Sequence, residues 1–236
     1  MVLHKIFVGS VGGALLMFTS AVTVHADTEH ARHTWGAMVA TGSLLSDDGP
    51  VRFWIEGQSR FNDGSSRFNQ AIARTALGYV VAPRTTLWAG YAWIPTDPQG
   101  QPDNIVEHRI WQQLTWSRAA PLVDFSISTR TRLEQRVVEG AEDTGVRFRQ
   151  LVKLTRPLAG AGRYYLSLWN ELFVHLNDTD WGADGGLDQN RAFGGLGIRF
   201  NDTAAGEVGY MNQYVNRNSR SAASNHTLSL TLLLTY

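Results

Sequence analysis

Four charges stand on alternate positions of one short stretch, residues 129–136 ("TRTRLEQR"): Arg130, Arg132, Glu134 and Arg136. A guanidinium group grips a carboxylate or phosphate through two parallel hydrogen bonds, so this spacing suits either an ion-pair wall or an anion site. The pattern recurs in Glu107 with Arg109, in Arg147 with Arg149, and around Glu171 and Arg191. Arg52, Glu56, Arg74 and Arg199 occupy equivalent alternate positions. Arginine exceeds glutamate in this set, and fixed positive charge in a confined space draws anions and repels cations. Glu107, Arg109, Arg130, Arg132, Glu134, Arg136, Arg147, Glu171 and Arg191 are therefore the candidate ligand-binding cluster, of either a small anion-preferring pore or a ligand-binding barrel. The same residues would equally serve as packing that fixes strand register, and the sequence leaves both readings open.

Other chemistry has weaker support. A lipid hydrolase needs a nucleophile, a base and an orienting group within hydrogen-bond reach. His108, His175 and His226 are the available bases, and Ser219, Ser221 and Ser224 the nearby hydroxyls, but no spacing among them marks a triad. Glycoside hydrolysis needs one carboxyl kept protonated, whereas these glutamates stand among arginines that favour the ionised form. The "GGLG" at 194–197 opens no helix, so it is not a dinucleotide fingerprint. Asp178, Asp180, Asp184 and Asp188 fail the spacing of a calcium loop, with Gly182 at the third ligand position. The expectation is a protein without catalytic activity, cofactor or metal.

Such a cluster must be held by strands. Of 236 residues, 43% are hydrophobic and 18% charged, which fits a folded, strand-rich domain. Period-two alternation dominates from Trp35 onward, and no helical stripe with caps competes with it. The clearest case is the last segment, with Leu228, Leu230, Leu232, Leu234 and Tyr236 on one face and Thr227, Ser229, Thr231 and Thr235 on the other. Strands are expected at 34–44, 50–61, 68–81, 86–94, 105–117, 122–137, 145–156, 163–177, 191–200, 206–217 and 226–236. Short turns alternate with longer polar loops from residue 81 onward, as in an outer-membrane barrel with periplasmic turns and external loops. A secreted β-sandwich is the rival, since alternation alone does not separate the two.

Strand length and aromatic placement favour the barrel. Trp88, Tyr91, Trp93, Trp111, Trp116, Tyr164, Tyr210, Tyr214 and Tyr236 are the expected interfacial girdles. Eleven segments is odd, whereas single-chain bacterial barrels close with an even number, so ten or twelve strands are expected. Lys5, the apolar run over 6–24 and Val24-His25-Ala26 read as a cleaved signal peptide, residues 1–26, leaving the barrel domain at 27–236. There is no cysteine, hence no disulfide framework and no lipoprotein anchor. A sequence pI near 7.1 gives no sign of a nucleic-acid partner.

The stretches "LGYVVAPRTTLWAGYAW" (77–93), "EHRIWQQL" (107–114), "RTRLEQR" (130–136), "NELF" (170–173), "NRAFGGLGIRF" (190–200) and "EVGYMNQ" (207–213) resemble, in order, the family filed as domain of unknown function 2490. The resemblance implies a signal peptide and a bacterial outer-membrane barrel, and it implies no particular biochemical activity. The fold class expected is thus all-β, an antiparallel transmembrane barrel of about 10 to 12 strands. The expected partners are outer-membrane lipid and, through the aromatic-ended C-terminal strand, the outer-membrane assembly machinery.

Overall fold

The structure is a computed structural model that describes residues 29–46, 49–98, 100, 103–120, 124–158, 163–217 and 221–236. The expected signal peptide, residues 1–26, lies outside the described residues. Within them run eleven strands: β1 (Glu29–Ser43), β2 (Val51–Asn62), β3 (Arg67–Ala82), β4 (Thr85–Thr96), β5 (Ile105–Ala120), β6 (Phe125–Val138), β7 (Thr144–Pro157), β8 (Tyr164–His175), β9 (Gly186–Arg199), β10 (Ala204–Val215) and β11 (Ala223–Thr235). Each pairs with the next, and β1 pairs with β11, so the sheet is a closed barrel. Closure leaves no strand edge unpaired, which a wall in contact with lipid requires.

The expectation of an even count is overturned. Each connection reverses the chain, so with eleven strands the first and last point the same way. Accordingly β1 and β11 pair in parallel, from Glu29 opposite Ala223 to Thr41 opposite Thr235, while every other neighbouring pair is antiparallel. One rim carries the connections after β1, β3, β5, β7 and β9 together with Tyr236, and is called here the turn rim. The other, the loop rim, carries the start of β1 and the long connections 97–104 and 176–185. Several strands begin before their expected positions, β1 at Glu29 and β9 at Gly186 among them.

Alternation decides which side chains face the lumen. On β11, Leu228, Leu230 and Leu232 point outward and are exposed, while Thr227 is buried inside. The outward faces of β3 and β4 carry Leu77, Tyr79, Leu87, Tyr91 and Trp93. Two expected girdle residues are misplaced by the sequence reading: Trp88 and Trp111 lie in the lumen, packed with Ile72, Ala76, Ala92 and Ile94 and flanked by Trp54. For Trp88 the reason is local, because β4 is apolar on both faces and so gives no polar stripe from which to read the inside, whereas Trp111 shares the β5 face of Glu107 and Arg109, whose alternation marks it as inward. The lumen wall is trimmed to receive these rings. A Cβ on Gly78 would come within 2.5 Å of the Trp88 ring, so only glycine leaves the space.

Candidate functional site

The alternation of β6 turns Arg130, Arg132, Glu134 and Arg136 into the lumen, where all but Arg130 are buried. Antiparallel register then sets Arg132 beside Arg149 and Glu134 beside Arg147, and it sets Arg109 beside Arg136 across β5. Like charges placed side by side repel unless carboxylates are interleaved, and the lumen supplies them.

Glu134 is the hub. It is wholly inaccessible to solvent, and it receives Arg149 at 2.6 Å, Arg147 at 2.7 Å and Arg132 at 3.4 Å, with Arg109 at 3.7 Å. Arg149 also reaches Glu171 at 2.7 Å, and Arg130 joins that carboxylate at 2.9 Å. Glu107 is gripped by Arg109 through two hydrogen bonds of 2.8 Å, and again by Arg136. Arg74 takes Glu56 at 2.6 Å. Eight of the nine expected cluster residues are thus drawn into one ion-pair network.

Arg191, the ninth, behaves differently. Its guanidinium donates only to Gln189, at 3.0 and 2.9 Å, and stacks against Phe173 and Trp35. Arg60, on β2, resembles it: Nη1 donates to Gln70 and Nη2 to Gln58, its Nε is buried without a partner, and it lies 4.0 Å from the centre of the Trp35 ring. Among the described residues neither has a carboxylate within ion-pair distance. Two positive charges therefore meet at Trp35 within a collar of neutral amides. Both line a cavity of about 770 Å³ that reaches the turn rim at Gly42, Arg84, Ser117 and Tyr236, a size suited to a small ligand.

At the loop rim the connection 176–185 folds against the neighbouring one. The Asp180 carboxylate accepts the backbone N–H groups of Glu142 and Asp143, at 2.9 and 3.2 Å, while Trp181 Nε1 donates to the Asp143 carbonyl at 3.0 Å. Those N–H groups hold the Asp180 carboxyl below its ordinary range. Trp181 then lies over Arg136, 4.7 Å from its guanidinium carbon, and edge-on to His175.

Several site residues escaped the sequence reading. Asp188 meets Arg147 at 2.9 Å and His175 at 3.4 Å, and Glu207 meets Lys153 at 2.6 Å. Asp188 looked like a loop acid, but a register shift in the β8–β9 pairing carries it into the wall. Arg60 was visible on the polar face of β2 beside Gln58, yet nothing in that strand reveals that its other partner is Gln70 of β3. His175, considered as a base for lipid chemistry, is buried beside Arg136. Arg199 sits exposed at the end of β9 over the Tyr165 ring, outside the network.

The family described as "Protein of unknown function (DUF2490)" matches residues 32–224. An uncharacterized protein of Methylorubrum extorquens is 34% identical over 203 residues, covering 85% of this chain and 88% of that one. Among solved structures, LpxR from Salmonella typhimurium is similar with a TM-score of 0.46 and 10% identity, over 78% of this chain and 83% of that one. Outer-membrane expressed OmpT of Vibrio cholerae gives 0.40 and 14%, over 75% and 60%. The all-β closed barrel expected from the sequence is the fold observed. The expectation of a protein without catalytic activity is corrected at this point: neither the closed barrel nor its likeness to these two structures gives ground for excluding catalysis.

Proposed function

We propose that this chain, which belongs to the DUF2490 family, is an outer-membrane barrel that binds a small anionic ligand in its lumen, entered from the turn rim. The observation that carries this reading is the pair Arg60 and Arg191, which meet at Trp35 with glutamine partners in place of carboxylates. Arg74, Arg109, Arg130, Arg132, Arg136, Arg147 and Arg149 each reach a glutamate, and that part of the network holds the wall in register, while Arg52 donates to Ser43. Around Trp35 no carboxylate reaches either guanidinium by hydrogen bond, and positive charge in a confined site draws an anion. The apolar outer face supports a location in outer-membrane lipid, and β11 is the strand offered to the assembly machinery.

Titration of the refolded protein in detergent with inorganic phosphate and with succinate, followed by calorimetry, tests this reading. The wild type is expected to bind, and Arg60→Gln combined with Arg191→Gln to weaken binding about tenfold or more. Unchanged affinity in the double variant would refute it. With Trp181 and its loop over Arg136, the same protein in a planar bilayer is expected to stay closed rather than conduct steadily.

A further inference from the structure

The outward face of the barrel carries the same polar unit twice at the loop rim. In the first, Tyr91 lies with its hydroxyl 2.5 Å from Nδ1 of His108, and Nε2 of His108 lies 2.9 Å from a carboxylate oxygen of Glu139. In the second, the Tyr210 hydroxyl lies 2.7 Å from Nδ1 of His226, and Nε2 of His226 lies 3.0 Å from Nδ1 of His30. The cross-strand placement is also shared. Tyr91 stands opposite Ile110, two positions from His108, and Tyr210 stands opposite Leu228, two positions from His226.

Only the first unit ends on a carboxylate. If each tyrosine donates to Nδ1, the imidazole donates from Nε2, and in the first unit Glu139 accepts that proton and closes the chain of hydrogen bonds. In the second unit a histidine takes that place, so the donor passes outward to Nε2 of His30, an exposed residue. Beside it Arg32 lies opposite His226 in the β1–β11 register, is exposed, and makes no hydrogen bond or ion pair among the described residues. Glu29, adjacent to His30 in sequence, is engaged by Arg217 at 2.8 Å. The second unit therefore presents a guanidinium and an imidazole N–H where the first carries its own carboxylate.

We infer that this seam site, built from His30, Arg32, His226 and Tyr210, binds the phosphate headgroup of a membrane lipid. Its place on the outward face at a rim puts it level with lipid headgroups, and guanidinium beside imidazole is a phosphate-binding combination. Leu228 and Leu230, further along β11 on the same face, are exposed and would lie along the acyl chains. The inference rests on the reading of the barrel as membrane-spanning.

The test uses the full chain in nanodiscs of phosphatidylcholine containing a minor fraction of phosphatidic acid, with retained lipid counted by native mass spectrometry. Wild type is expected to retain phosphatidic acid in preference to phosphatidylcholine. Arg32→Gln and His30→Gln are each expected to retain about tenfold less, while His108→Gln, in the closed unit, retains as much as wild type. No preference in wild type, or wild-type retention in both Arg32→Gln and His30→Gln, overturns the site. Displacement of the lipid by an equal concentration of inorganic phosphate overturns the lipid as its source. Heat-modifiable migration on a gel reads insertion separately, so a chain that does not insert refutes the membrane reading, and an inserted chain without lipid preference refutes this inference alone.

Discussion

Nη1 of Arg149 lies 2.6 Å from a carboxylate oxygen of Glu134, a side chain with no exposure to solvent. Three further guanidinium groups converge on that carboxylate, so it is the charge on which the others depend. Removing one partner of a buried pair costs more than the pair contributes, because the remaining charges stay buried and unmatched. Glu134→Gln is expected to lower stability by about 3 kcal/mol or more in urea unfolding from detergent micelles. Glu139→Gln, which touches only the exposed His108 pair, is expected to cost under about 1 kcal/mol.

The lumen location of Trp88 predicts how lipid-borne quenchers behave. In bilayers of brominated phosphatidylcholine, replacing the outward-facing Trp93 by Phe should remove part of the quenching. Replacing Trp88 by Phe should leave quenching unchanged, since its ring lies inside against Trp54. Equal effects of the two substitutions would place Trp88 on the outer surface.

A Cβ at Gly145 would come within 2.6 Å of the Trp181 ring. Gly145→Val is therefore expected to unseat Trp181 from Arg136 and free the connection 176–185, at a cost of about 1–3 kcal/mol. Faster limited proteolysis within 176–185 and a red shift of tryptophan emission would report it. Cleavage at the wild-type rate would show that Trp181 does not hold that loop.

The Asp180 carboxyl is stabilised in its ionised form by backbone N–H groups, with Glu142 the leading contributor. A carboxyl held below its unfolded value adds stability above that value and loses it as pH falls through the lower, folded one. The contacts between 139–143 and 176–185 are thus expected to persist at neutral pH and to loosen only below about 3.8, the ordinary aspartate value. Amide shifts of Glu142 and Asp143 followed by NMR against pH would track this. Asp180→Asn should abolish that titration.

The strands were legible because a wall with apolar side chains on one side and polar or charged ones on the other writes itself as strict alternation, as β6 and β11 do. Ion-pair partners were not legible. Which glutamate Arg149 meets depends on register across three strands, and a single strand carries no information about that. The same limit hid Gln70 of β3 beside Arg60, whereas Gln58 and Gln189 stand two positions from Arg60 and Arg191 on the same strands. Where both faces of a strand are apolar, as on β4, Trp88 was placed with the outward Tyr91 and Trp93 although it faces the lumen. The closing pair defied expectation because strand parity is a property of the whole chain, and the rule of even counts describes barrels whose two ends share a rim.

The parallel pairing of β1 with β11 also gives the cylinder a direction of weakness. Every other pair of neighbouring strands is tied at one rim by its own covalent connection, whereas these two run side by side with none between them. The circle is completed there by backbone hydrogen bonds between segments almost a full chain length apart. That contact carries the greatest loop-closure entropy and is the natural last step of assembly. Once formed, it remains the single line along which the wall could part without bending a hairpin.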